Sequence, residues 1–256
     1  MPTHDSVRGH VSREFVALSH KLPGMRDDGA MSGAGWESRA VRRARSWTPG
    51  QCAVAFAAAV AVFHHLPLIA GAVGLHDATD LVTPFVVVAA ALAALLSLKA
   101  PPRALAVAFV GAILYVDGHG LHLSANAIGN EPVSGRAREV AHFWDEQFGH
   151  FWWHLGWFVL LGAIALAESG RRDTLSRRQA AVIVLLLGGT LFTNTVEGGD
   201  WWLELAATAV FCAWAFAARR ALLTAFAGAF ALGAALIGIW AIWHGGVPQF
   251  SELGWI

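Results

Sequence analysis

The sequence predicts an all-α integral membrane protein, a bundle of about seven transmembrane helices with its N-terminus cytoplasmic and its C-terminus extracytoplasmic. Three observations predict it. The 256 residues are 56% hydrophobic and only 14% charged, more apolar surface than one water-soluble core can hide. Apolar stretches of about 20 residues, the length that crosses a bilayer as a helix, recur along the chain. Arginine and lysine collect in alternate connections, as cytoplasmic loops require.

Residues 1–48 are polar, mixed in charge and rich in Gly, Ser and Arg, and without an early apolar run they do not read as a cleavable signal peptide. They are expected to form a disordered cytoplasmic tail, in which Met25 or Met31 serves equally well as a start and the three histidines have no organised context. Residues 49–256 form the polytopic transmembrane domain. Its spans lie near 51–73, 81–98, 103–124, 146–167, 179–196, 201–218 and 221–243, separated by Pro101 and Pro102, by Gly170 with Arg171 and Arg172, and by Gly198 with Gly199.

Eight arginines and lysines lie in the tail, and Lys99, Arg103, Arg171, Arg172, Arg177, Arg178, Arg219 and Arg220 share alternate connections with it, leaving Arg136 and Arg138 opposite. That bias sets the orientation and accounts for the arginines without a site role. Net charge is zero, so nucleic acid is not an expected partner. Cys52 and Cys212 stand near predicted cytoplasmic ends, where a structural disulfide is not expected. Gly228, Gly233 and Gly238 of the last span read as helix-packing positions.

The chemistry collects at the other side. Every histidine after the tail, His64, His65, His76, His119, His122, His142, His150, His154 and His244, falls in an outer half-span or outer loop, as do Asp77, Asp80, Asp117, Asp145, Glu146, Glu197, Asp200 and Glu204. Ionisable residues at membrane depth are costly and mark sites. His119 and His122 share a helix face with Tyr115 and Asn126. In the fourth span His142, Glu146, His150 and His154 recur every four residues, drifting about 40° per step on an α-helix. Imidazoles four apart reach one metal from successive turns. A rise of 1.5 Å per residue puts His154 about 12 Å below Glu146 and level with His64 and His65. At most one of those two adjacent histidines can face the centre.

The candidate metal ligands are therefore His119, His122, His150, His154, His142, His64 and Glu197. Glu146, Asp145 and Asp117 are candidates for a general base or for carboxylates that orient imidazoles. Trp144, Trp152, Trp153, Trp157, Trp201, Trp202, Trp240, Trp243 and Trp255 gather on the same side as an aromatic belt, and those around His154 also suit the wall of an apolar pocket.

A transition metal is expected, zinc ahead of iron or copper. Four functions compete. A zinc hydrolase would act on a lipid or other hydrophobic small molecule in the cell membrane. A di-iron or copper oxidase, hydroxylase or desaturase would use the larger ligand set and need an electron donor. A metal or proton transporter or sensor would need a polar path to the cytoplasm, where the half-spans are Ala, Val and Leu. A bis-histidine haem protein would pair His64 or His65 with His154. In span number and in a histidine pair four apart, the chain resembles the seven-helix membrane zinc hydrolases of the ceramidase and progestin-receptor superfamily. There the pair stands in the last helix, partnered by a serine and a histidine four apart in an early one. Here it stands in the fourth span with no such serine pattern, so the resemblance assigns no residue.

Overall fold

Runs of Ala, Val, Leu and Phe without charge cannot leave backbone N–H and C=O groups unpaired in lipid, so they close into helices. The computed structural model describes residues 47–71, 76–129, 132, 134–168 and 175–255. The sequence up to residue 46, Gly170 and Arg171 to Asp173 lie outside the described residues, as do the side chains of His76 and Asp77. The described residues form helices and no strands: α1 (Pro49–Gly71), α2 (His76–Ser97), α3 (Pro102–Gly129), α4 (Arg136–His142), a π-helical turn (Phe143–Gly149), α5 (His150–Ala167), α6 (Arg177–Glu197), α7 (Trp201–Ala218) and α8 (Ala221–His244). Helices α4 and α5 join through the π turn into one span, giving seven long, apolar segments able to cross a membrane. Leu96, Phe109, Phe216 and Ile242, each at least 68% exposed, face outward as lipid-facing side chains do. The chain is a multi-pass membrane bundle.

The third and fourth spans run further than expected, to Gly129 and from Arg136. An apolar ruler measures hydrocarbon thickness, whereas the helix continues through Asn126 and His142 on its own backbone bonds.

Two spans carry an internal proline, Pro67 in α1 and Pro84 in α2. Each lacks the N–H that would bond the carbonyl four residues back, and a side chain replaces it in both cases. The Thr83 hydroxyl donates to Phe63 O at 3.0 Å. His119 Nε2–H donates to Asp80 O at 2.9 Å. The second substitution ties α3 to α2 at the histidine-bearing end.

The tightest contact joins α3 to α5. A Cβ at Gly118 would fall on the backbone of Trp152 and Trp153, and one at Gly156 on that of Leu114 and Tyr115. These glycines, which the sequence did not single out, let the two backbones touch. In α8 the expected packing role holds for Gly228, against Val184, and for Gly233, against Leu191 and Glu204. Gly238 instead faces open space, because it lies on the other side of the helix from Gly233.

At the arginine-bearing end Glu168 is wholly buried. Its carboxylate accepts the Leu222 N–H at 2.9 Å and the Leu223 N–H at 3.1 Å, capping α8 where no N-cap side chain does so and placing negative charge at the helix's positive end. Glu168→Ala is expected to lower stability by about 2 kcal/mol, since buried N–H groups left unpaired cost about 1–3 kcal/mol each. Glu168→Gln, which keeps an acceptor oxygen, should recover most of it. Thermal unfolding in detergent checks this, and an unaltered midpoint in the alanine variant would remove Glu168 from the cap.

Candidate metal centre

The π turn decides which carboxylate faces the histidines. Its hydrogen bonds reach one residue further than those of an α-helix, the last running from His150 N to Asp145 O. Gly149 brings this turn against α3: a Cβ there would lie 2.6 Å from Trp144 O and 3.0 Å from His122 N. The four-residue α spacing expected for His142, Glu146, His150 and His154 therefore breaks across Phe143–Gly149, and Asp145 turns inward beside His122.

Asp145, His122 and His150 each offer a ligand atom within 4.8 Å of the other two. His122 Nδ1 contacts Asp145 Oδ1 at 2.5 Å, and the His122 and His150 rings lie 4.4 Å apart. Asp145 and His150 are buried. His150 Nδ1 has no hydrogen-bond partner, its nearest carboxylate oxygen being Glu146 Oε2 at 3.8 Å. Bonds of roughly 2 Å to a single ion would nearly span the group, and two imidazoles with a carboxylate are donors that a transition metal takes. This group could hold a metal ion.

The group opens on a cavity of about 460 Å³. Asp80, Asp145, Glu146 and Glu197 line it, together with His64, His65 and Trp153, and among the described residues no arginine or lysine lines it. Such a wall favours a cation. Trp153 is its centrepiece, with ring centroids 4.6–5.6 Å from His64, His119, His122, His150 and His154.

The other predicted ligands have different partners. His119 turns its Nε2–H to Asp80, 2.9 Å from the carbonyl and 3.0 Å from Oδ1. His154 donates from Nδ1 to the Asp200 carboxylate at 2.7 Å, leaving Nε2 buried and unpartnered. His64 bonds Val60 O through Nδ1 at 2.7 Å; since a carbonyl only accepts, Nδ1 carries the proton and Nε2 accepts from the Tyr115 hydroxyl at 3.1 Å. His65 reaches Thr193 on α6 at 2.9 Å. Both adjacent histidines line the cavity, more than the angle of about 100° between adjacent α-helical positions suggested.

His142 and Asp117 are exposed, and the structure brings neither to the cavity. His142 stands before the π turn, and Asp117 lies off the stripe of His119 and His122. Glu197 lines the cavity, but its Oε2 accepts the backbone N–H groups of Phe250 and Ser251 at 2.8 and 3.2 Å. Asp80 and Asp200 orient His119 and His154, roles the sequence reading did not assign. Their level near the outer ends of α2 and α7 was a signal that could have found them. Comparison with protein-family models, with curated proteins and with solved structures finds no match for this chain.

Proposed function

We propose that the protein is a metal-dependent enzyme of the cell membrane that hydrolyses an ester or amide bond of a lipid or other hydrophobic substrate at the extracytoplasmic side, with zinc as its metal. The single observation that carries this reading is the convergence of His122, Asp145 and His150 on an acidic cavity that no arginine or lysine lines among the described residues. Three protein ligands leave a fourth position for water, the pattern of catalytic rather than structural zinc. The side follows from the arginine distribution.

When bound, the ion supplies an acidified water and polarises the substrate carbonyl. Glu146, half-buried on the cavity wall and 3.8 Å from His150, would act as general base, accepting a proton from the water whose oxygen bonds the carbonyl carbon and giving it to the oxygen or nitrogen that leaves as the C–O or C–N bond breaks. Trp153, Phe250 and Trp255 supply apolar wall for the substrate's hydrocarbon part.

Glu146→Gln is therefore expected to keep the metal and lose about 10²–10⁴-fold in turnover. The test uses the metal-loaded protein in liposomes with a panel of ester and amide lipids, reading released fatty acid or headgroup by mass spectrometry. A loaded wild-type protein that cleaves none of them would defeat the proposal. The ligand composition also favours a second function: two histidines and one carboxylate are the ligand set of non-haem iron oxygenases. Bound iron and substrate-dependent oxygen uptake, driven by an added electron donor, would establish that one.

A further inference from the structure

After α8 the chain reverses at Gly245, whose φ of +70° suits glycine, and residues 245–255 run back over the cavity. The contacts concentrate on two acids that line it. Gln249 Nε2 donates to the Glu197 carbonyl oxygen at 2.5 Å and to Glu146 Oε2 at 3.3 Å. The Glu197 carboxylate takes the next two backbone N–H groups, those of Phe250 and Ser251. The Phe250 ring, which lines the cavity, packs on Trp240 at 4.9 Å and Phe192 at 5.7 Å. Beyond it residues 251–255 are exposed. Its other ties are the Trp240 Nε1–H bond to Pro248 O at 3.0 Å and the packing of Trp255 on Trp240 at 5.1 Å, and paired glycines at 245 and 246 form the hinge where it leaves α8.

We propose that residues 245–255 form a latch over the cavity, with Glu197 as its catch and Gln249 as a positioning residue that holds Glu146 while the latch is shut. Lifting it removes Phe250 from the cavity mouth and frees Glu146 Oε2 in the same movement, so admission of substrate and release of the acid that would act on it are one event. This role explains why Glu197 lines the cavity while spending its carboxylate on backbone N–H groups. The function of the cavity rests on the metal-site proposal; the closure does not.

The test places a reporter thiol inside the cavity, Asn194→Cys, in the full chain with Cys52→Ala and Cys212→Ala, and follows its modification by a small cationic thiosulfonate in detergent. With the native latch, labelling should be slow. Glu197→Ala should raise the rate at least tenfold, while Glu197→Gln, which keeps an oxygen to accept an N–H, should stay near the native rate. Phe250→Ala leaves the catch intact and removes the ring from the mouth, so it should also label fast and serves if Glu197→Ala does not fold. Native-like rates in the folded alanine variants would overturn the latch. The assay runs on metal-stripped protein: gated labelling in a chain that binds no metal keeps the latch and ends the metal proposal, and ungated labelling in a chain that binds metal does the reverse.

Discussion

The His150→Ala variant is expected to lose most of the stabilisation that zinc gives the wild-type protein. A ligand that binds only the folded state contributes about 4 kcal/mol at a concentration 1,000 times its dissociation constant. Removing a partner that merely orients a ligand weakens metal affinity roughly 10–100-fold, and removing one of three ligands should cost no less. At a 100-fold weaker affinity the same zinc adds at most about 1.4 kcal/mol. Thermal unfolding in detergent, with zinc and then with chelator, reads the difference. His154→Ala is the informative partner experiment. Its imidazole is bonded to Asp200 and lies outside the three-residue group, so that variant should be less stable throughout yet retain its zinc response. Equal zinc responses in wild type and His150→Ala would exclude His150 as a ligand.

A large structural effect is expected at Gly118. Its would-be Cβ falls on the backbone of Trp153 rather than on a side chain that could turn aside, so Gly118→Leu must push α3 and α5 apart. Inserted methylenes in a packed core cost about 1–3 kcal/mol and sometimes more. Here the cost should exceed about 3 kcal/mol, because backbone must move and His122, on α3, moves with it. Gly238→Leu, facing open space, should change stability little. Unfolding of the two variants in detergent compares them directly, and a Gly118→Leu protein as stable as Gly238→Leu would show that α3 and α5 are not in backbone contact.

The bundle itself was legible because lipid leaves the chain one solution: apolar runs of sufficient length must be helices, and arginine spacing numbers the turns between them. The gathering of histidines at one end was legible for the same reason, since position along a span gives depth. Direction around a helix was legible only where winding stayed regular. His119 and His122 do share a face toward α5, but the π turn at Phe143–Gly149 changes the winding within the fourth span. It brings Asp145 into the three-residue group beside His150, where the four-residue spacing had pointed to His154. Nothing in local composition announces a π turn, which depends on Gly149 meeting α3. The partners Asp80 and Asp200 were visible as acids at the right level. Their assignment to His119 and His154 needed helix neighbours, as did the tie between Pro84 and His119, in which a proline on one helix creates the acceptor that a histidine on another fills. The fold-back of residues 245–255 onto Glu197 left no periodic trace at all.

The most direct test of the central claim is the metal content of detergent-purified protein, measured by elemental mass spectrometry for wild type and for the double variant His122→Ala, His150→Ala. About one metal ion per chain in the wild type and none in the variant is the expected result, with the element found deciding between hydrolysis and oxidation. The same metal content in both proteins, or none in either, would contradict the metal centre at His122, Asp145 and His150.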